Sequence, residues 1–353
     1  LQENIQNPEI IPIVTLNWNG LEDTFECLEA VFKQTYPHFV IYLVDNGSKG
    51  NDAQILQEKY GNHEKVVLIL NDENLGFTKG NNRVMENLLK EDYNYIALLN
   101  NDAMADEYWL ENLVKSAKKH KAGMVATKMI SYFHRQQMDN AGHKMLNTAE
   151  IIPIGHMEPI EEYEEVFENV GACAGAVLYD ANMLREIGIF DEYFETGYED
   201  AEIGVRAMVL GYKCIFEPTA IVYHKISQSV NKILNYEYIL KIQLNIFYSY
   251  FKLMPLGVLL INFLSFVFKY GIIIVIDILF LRIRFLKIMC DAIWTTMTKE
   301  RKTILKNRRE FLKKHKTIST FSILKKMDFF LWFDIKRFFK FIILRKKTTF
   351  EKY

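Results

Sequence analysis

Five short stretches of this 353-residue chain hold residue types that could do chemistry. Asp45 ends an apolar run and is followed by Asn46-Gly47-Ser48. A carboxylate there can accept a hydrogen bond from the N3–H of a uracil or thymine ring, although Asp-Asn-Gly is also an ordinary turn. Asn74 to Asn82 contains Gly76 and Gly80 ahead of an expected helix over Arg83 to Leu89. Glycines and free amides at a helix N-terminus suit a diphosphate, but a Gly-x-x-x-Gly spacing alone is a weak signal. Asn100-Asn101-Asp102 follows another apolar run and reads, in isolation, as an Asn-rich turn. Glu199-Asp200 opens a helical pattern. A carboxylate there could take a proton from a hydroxyl, and acidic residues also simply favour a first helical turn. His224 closes the last strand of the same stretch and, by itself, is an ordinary strand-end histidine.

The elements around these residues predict an α/β domain. Ile10 to Asn17 is nearly all apolar, as a buried parallel strand requires. Leu21 to Gln34 has helical spacing, and Val40 to Val44 is a second strand, so the unit reads as a right-handed βαβ. Ligands in such sheets sit outside the carboxyl ends of the strands, where Asp45 lies. Further strands are expected over Val66 to Leu70, Tyr95 to Leu99 and Gly123 to Met129, with a helix over Trp109 to His120. The segment Ser131 to Phe167 has little periodicity and ends in an acidic run that reads as a solvated loop; His143 and His156 fall in it as loop residues. A small-residue run, Gly171 to Ala176, then leads into a short strand. A helix from Glu199 to about Leu210 follows, with Glu202 and Arg206 spaced to pair. Gly211 ends it, and two short strands, Lys213 to Glu217 and Ala220 to His224, complete the stretch.

Charge divides the chain more sharply than any motif. Residues 1–224 hold 17 Lys and Arg against 36 Asp and Glu, a net −19, whereas residues 225–353 hold 26 against 8, a net +18. The basic part is also rich in Phe, Leu and Ile. That interleaving fits an anionic membrane surface better than nucleic acid, which is not expected as a partner. The four cysteines (27, 173, 214, 290) are scattered, which argues against a zinc site or a disulfide framework. The polar, acidic opening LQENIQNPEI is read as carrying no secretory signal.

Taken as a series, these stretches resemble the family 2 inverting glycosyltransferases, and most closely the rhamnosyltransferase-like branch. The resemblance covers roughly residues 8–255. It rests on ENLGFTKGNN at 73–82 and on FDEYF, YEDAEIGVR, GY and PTAIVYH between residues 190 and 224. It implies a GT-A fold, a Rossmann-like mixed sheet flanked by helices. The catalytic domain would be residues 1–235, with a nucleotide-sugar half (1–130) and an acceptor half (131–235). By resemblance Asp45 reads the base, while Thr15, Asn17, Gly76, Gly80, Asn81 and Asn101 line the nucleotide. Asp102 and His224 hold a divalent cation, Mg²⁺ or Mn²⁺, on the donor diphosphate. Asn100 replaces the first Asp of the family's Asp-x-Asp motif, so Asp102 is the one charged ligand there. Asp200 is the general base with Glu199 beside it, and Gly175 and Arg206 lie toward the sugar and acceptor. The β-hairpin and mobile loop of the family fall in 131–167.

The resemblance further implies inverting transfer from a dTDP- or UDP-sugar, first of all dTDP-rhamnose, to a lipid-linked or growing cell-surface glycan. A sugar nucleotidyltransferase is the rival enzyme, but NWNGLED stands where its Gly-rich, basic loop would follow the first strand. A non-catalytic membrane scaffold that binds a nucleotide or glycan is the other rival, and the joint presence of Asp102, Asp200 and His224 argues against it. Residues 236–353 are expected to be helical and membrane-associated, at the cytoplasmic face as a peripheral or monotopic attachment; a homo-oligomer is left open. Asn235-to-Lys252 spacing is helical, and Leu256 to Leu281 reads as two shorter helices dipping into one leaflet or as one span, which needs about 20 apolar residues. Phe329 to Leu344 reads as a basic amphipathic helix lying on the membrane.

Overall fold

The computed structural model describes residues 9–194, 197–225 and 235–332. The expected amphipathic helix over Phe329 to Leu344 lies outside the described residues from position 333 onward. The chain divides into two units. One comprises Leu1–Gly142, Ile154–Ala207 and Tyr212–Ile226; the other comprises His143–Pro153, Met208–Gly211 and Ser227–Tyr353. Two short segments that precede the expected boundary at residue 235 thus group with the tail.

The first unit is built on a ten-stranded mixed sheet. Its parallel core is β1 (Ile11–Asn17), β2 (Phe39–Asn46), β3 (Val66–Asn71) and β4 (Tyr95–Leu99). β1 pairs in parallel with β2 and β4, and β2 with β3. Apolar residues on both faces of β1 are buried, because helices cover both sides of a parallel sheet. Those helices are α1 (Leu21–Val31), α2 (Asp52–Tyr60), α3 (Gly76–Leu88) and, after the short strand β5 (Ala103–Ala105), α4 (Trp109–His120). The register sets Asn17 beside Asp45 and Asn46 beside Asn71, so three strand ends line up their polar residues at one edge.

Beyond β4 the strand directions mix. β6 (Met124–Ser131) carries β7 (Met138–Asn140) along its end. β8 (His143–Leu146) and β9 (Ile151–Pro153) form an antiparallel hairpin in the other unit. β10 (Phe167–Asn169) precedes the small-residue run, and β11 (Ala176–Asp180) pairs antiparallel to both β4 and β6. After α5 (Ala181–Ile187) and α6 (Glu199–Leu210), β12 (Cys214–His224) is one strand rather than the two expected. It runs parallel to β6, with a register shift between Glu217 and Ile221 that Pro218 accommodates. All four cysteines are free.

One expectation is corrected here. α3 begins at Gly76, not Arg83, so the expected phosphate loop is already helix. Gly80 lies inside that helix because a Cβ there would come within 2.6 Å of the Leu16 side chain; it is a packing glycine that lets α3 approach β1. In the second unit, α7 (Tyr236–Leu253) is followed by α8 (Leu256–Leu279), one continuous helix of 24 residues, the single-helix alternative of the two left open for this stretch. Lys269 and Asp277 do not break it, because each has a partner within its own unit, Glu150 and Arg282 respectively. α9 (Ile283–Met297), α10 (Arg301–Lys314), α11 (Thr320–Leu324) and the short β13 (Met327–Asp328), which pairs with β8, complete the unit.

Candidate active site

The strand ends expected at the nucleotide are joined by one hydrogen-bonded relay. Asn17 Nδ2 donates to Asp45 Oδ1 (2.8 Å), and the Ser48 amide donates to Asp45 Oδ2 (3.1 Å). Thr24 Oγ1 donates to Asn17 Oδ1 (2.9 Å), and Asn101 Nδ2 donates to Thr24 Oγ1 (3.0 Å). Asp45 and Asn101, expected at one nucleotide, are thereby linked through Asn17. Each Asp45 oxygen keeps lone-pair capacity for a further donor. Thr15 is wholly buried two residues before the strand end, and its hydroxyl has no partner among the described residues.

The residue missed by sequence reasoning here is Asn46. Its Nδ2 donates to Asn74 Oδ1 (3.0 Å) and to the Gly76 carbonyl (3.2 Å), while its Oδ1 accepts from Asn71 Nδ2 (3.0 Å) and the Leu75 amide (3.3 Å). Gly76, at φ +75°, gives its own amide to Asn74 Oδ1 (2.8 Å). Amides expected to be free for an anion at this helix start are therefore partly used by two asparagines. Asn81 is buried and donates back to the Phe77 carbonyl (2.9 Å).

Asp102 and His224 meet because of strand register. Antiparallel pairing of β5 with β12 sets His224 opposite Ala103, and the Lys225 amide donates to the Asp102 carbonyl (2.9 Å). His224 Nε2 lies 3.2 Å from Asp102 Oδ1. On its other side His224 Nδ1 lies 2.7 Å from Asp139 Oδ2. Asp139 was not singled out from the sequence. It is the extra residue where β6 and β7 change register, since consecutive Met129 and Ile130 face Asn140 and Met138. A bulge of this kind re-aims a side chain. His156, expected as a loop residue, has its Nδ1 3.4 Å from Asp139 Oδ1 and 3.2 Å from the Asp139 carbonyl.

These contacts set the charges. Burial disfavours the His224 imidazolium, but the hydrogen bonds and charges of Asp102 and Asp139 outweigh it and push the pKa up to about 10. Burial would likewise raise Asp139, yet the two imidazoles hold it down at about 2. The hydrogen bond to the Asp139 carboxylate raises His156. Among the described residues no three acidic, His or Cys side chains form a ready cage for a metal. What the cluster offers is one carboxylate oxygen and one imidazole nitrogen facing each other, with the imidazole oriented from behind by a second carboxylate. That donor set fits a hard cation that takes its other ligands from a diphosphate and water.

Glu199 and Asp200 sit at the start of α6, in a cradle made by small residues. A Cβ on Gly171 would lie 2.8 Å from the Gly204 Cα, so both glycines are needed for α6 to lie against the 171–175 loop. That loop answers with its backbone: the Ala174 amide donates to Asp200 Oδ2 (3.2 Å), and the Asn100 amide donates to the Gly175 carbonyl (2.9 Å). A Cβ on Gly175 would press on Met129 at 3.0 Å. Burial and the Asp200 charge push Glu199 up to about 8, and its Oε2 has no partner among the described residues. Burial, then the charges of Asp200, Asp139 and Glu199, hold the Cys173 thiol well above its usual value.

Arg206 requires correction. It is buried, its guanidinium pairs with Glu202, and Nη1 donates to the carbonyls of Ile187 (3.0 Å) and Ile189 (2.8 Å). Its fork is occupied in fixing the turn after α5 and does not reach toward an acceptor.

Residues 13–183 match the family model "Glycosyl transferase family 2". The O-antigen biosynthesis protein RfbC of Myxococcus xanthus is 26% identical over 214 residues, covering 56% of this chain and 16% of its own length. Glycosyltransferase GlyG of Streptococcus pneumoniae serotype 4 is 27% identical over 124 residues, 35% of this chain and 40% of its own. Poly-beta-1,6-N-acetyl-D-glucosamine synthase of Staphylococcus epidermidis is 22% identical over 237 residues, 64% of this chain and 52% of its own. The chain thus spans about half or less of these relatives. Among solved structures, GalNAc-T7 with UDP, GalNAc and Mn²⁺ superposes with a TM-score of 0.52 at 16% identity, over 62% of this chain and 44% of that one, a likeness of fold. The sheet is GT-A-like, and together the family model, the glycosyltransferase relatives and the fold support a family 2 glycosyltransferase whose matched domain is residues 13–183.

Proposed function

We propose that this chain transfers a sugar, with inversion, from a dTDP- or UDP-linked donor to a lipid-linked or growing cell-surface glycan at the cytoplasmic face of the membrane. Rhamnose is the first sugar to test, on the strength of the ENLGFTKGNN run. Relatives named for O-antigen biosynthesis and for poly-N-acetylglucosamine synthesis support a surface glycan as the acceptor class.

The observation that carries this reading is the 171–175 loop. One end of it holds the Asn100 amide through Gly175, and its middle holds Asp200 through Ala174. A donor station and an acceptor station therefore share one short backbone. Asp200 takes the proton of the acceptor hydroxyl as its oxygen attacks the anomeric carbon. Glu199, pushed up to about 8 by burial and the Asp200 charge, is neutral at pH 7 and adds no second negative charge beside that base. Asp45 accepts the imide N–H of the base. Asp102 and His224 would hold the divalent cation, which when bound offsets charge on the departing diphosphate. Asp139 keeps the His224 ring turned with Nε2 toward Asp102.

Calorimetric binding of UDP, dTDP, GDP and CDP to detergent-purified protein, with and without Mn²⁺, tests the reading. Binding of UDP or dTDP alone, strengthened by Mn²⁺, is expected. Preference for GDP or CDP would overturn the role of Asp45, and binding of none of the four would overturn the transferase.

A further inference from the structure

α8 presents two unlike faces. The outer face carries Leu260, Leu264, Val267, Phe268, Val275 and Leu279, with Leu264 76% and Leu279 71% exposed. The inner face carries polar residues at helical spacing: Asn262, Lys269, Tyr270 and Asp277, the last only 2% exposed. Each is used inside its own unit. Lys269 Nζ lies 3.1 Å from Glu150 Oε1, and Tyr270 OH donates to the same oxygen (3.0 Å). Asn262 Nδ2 reaches Met327 Sδ (3.4 Å), and Arg282 pairs with Asp277 (3.4 Å). Glu150 belongs to the β8–β9 turn, and β8 also pairs with β13, giving a three-stranded sheet beside the middle of the helix.

By length, α8 could cross a bilayer: 24 residues make about 36 Å. Crossing would place Lys269, near its midpoint, at the centre of the hydrocarbon. Glu150 and an open-edged three-stranded sheet would have to go with it. Hydrocarbon does not tolerate open sheet edges, and central charges are expensive there. A helix lying in the interface meets neither obstacle: its polar face stays on protein and its apolar face enters the acyl boundary.

The surroundings choose the occupant. Immediately after α8, Arg284 and Lys287 alternate with exposed Leu281, Ile283 and Phe285. Basic side chains interleaved with apolar ones suit anionic headgroups, toward which they snorkel. A second copy docked by twofold symmetry would instead bring two such basic rims together, within a region that carries net +18 over residues 225–353.

We propose that α8 is an in-plane anchor whose outer face is immersed in one leaflet of an anionic membrane and which does not cross it. This rests on the membrane attachment in the reading above and specifies its geometry. The test uses the full chain in a Cys290→Ser background, with Glu237→Cys or Lys302→Cys, exposed positions on either side of α8 in the sequence. Membranes from expressing cells are probed with an impermeant maleimide. Both positions should label in inside-out vesicles and neither in right-side-out ones, relative to the parent. Labelling from opposite sides would overturn the in-plane geometry and leave membrane attachment standing. Purified protein should float with phosphatidylcholine/phosphatidylglycerol vesicles at least tenfold better than with phosphatidylcholine alone, and Leu260→Glu/Leu264→Glu should lose at least tenfold while keeping its melting temperature. Absence of flotation, with a dimer that the double substitution dissociates, would overturn membrane attachment and give the face to a second copy.

Discussion

Glu199→Gln separates two roles that a buried acidic pair could play. In the folded chain Glu199 titrates near 8 instead of its ordinary 4.5, first because it is buried and then because Asp200 is beside it. Below pH 4.5 the folded and unfolded chains both carry this proton, and its stabilising effect is fully present. Between 4.5 and 8 the unfolded chain has lost the proton while the folded chain keeps it, so stability falls by about 1.4 kcal/mol per pH unit. The ceiling over that window is about 5 kcal/mol. Above 8 the effect is gone. Glutamine has no proton to lose, so the variant should gain on the parent steadily as pH rises. With about 2 °C per kcal/mol for a chain of this size, the difference in melting temperature should widen by about 5 °C or more between pH 5 and pH 8. Differential scanning fluorimetry in detergent at pH 5, 6, 7 and 8 measures it. A difference that stays flat, or shrinks toward alkaline pH, would mean that Glu199 is ionised in the fold and the burial reasoning is wrong. Turnover gives a second view: as a neutral neighbour Glu199 should be replaceable by Gln within about tenfold at pH 7, whereas removing a general base loses about 10²–10⁴-fold.

Asp200→Asn should show that larger loss in transfer while the donor Kd moves less than threefold; loss of donor affinity with normal turnover would refute its assignment as base. Mn²⁺ binding followed by electron paramagnetic resonance should tighten as pH rises, by up to about tenfold per unit below pH 10, because the proton His224 holds must leave before Nε2 can ligate. Asp139→Asn should weaken Mn²⁺ binding by about 10–100-fold, and an unchanged Kd would remove it from any part in orienting His224. Arg206→Ala should destabilise the fold by about 3–5 kcal/mol in urea unfolding, since it breaks the buried ion pair with Glu202. It should not single out acceptor KM, and a pure KM effect would restore Arg206 to the acceptor side.

The parallel half of the sheet was legible because buried strands of this kind are written as unbroken apolar runs. Ile10 to Asn17 and Tyr95 to Leu99 became β1 and β4 within a residue. Trp109 to His120 was legible as a helix for the opposite reason, a clean polar–apolar alternation at helical spacing. The glycines were not. Gly80 and Gly76 share one short motif, but Gly76 has positive φ at a helix start and Gly80 lies flat against Leu16; spacing along the chain does not separate those causes. Arg206 carried its correction within the sequence, because Glu202 four residues earlier was a ready partner for a buried fork. Asp139 and His156 had no sequence signal. One is aimed by a bulge and the other meets it 17 residues later in a segment of little periodicity.

The same contrast explains why the candidate site depends on residues that do no chemistry. Asp102 and His224 lie 122 positions apart, and a strand pairing brings them to 3.2 Å. Asp200 is set by how closely α6 can lie on the 171–175 loop, which the Gly171–Gly204 contact decides. Gly204→Ala places a methyl 2.7 Å from the Gly171 Cα, and no rotamer can relieve backbone. The helix must move away, carrying Asp200 from the Ala174 amide that holds it. Overpacking of this kind destabilises by about 1–3 kcal/mol, and a displacement near 1 Å at a reacting group can lower turnover about 100-fold. Nucleotide and Mn²⁺ binding, which the proposed function places at β1, β2, β5 and β12, should be unchanged in that variant. A Gly204→Ala protein that lost donor binding and turnover together would show instead that the two stations are not separable through this loop.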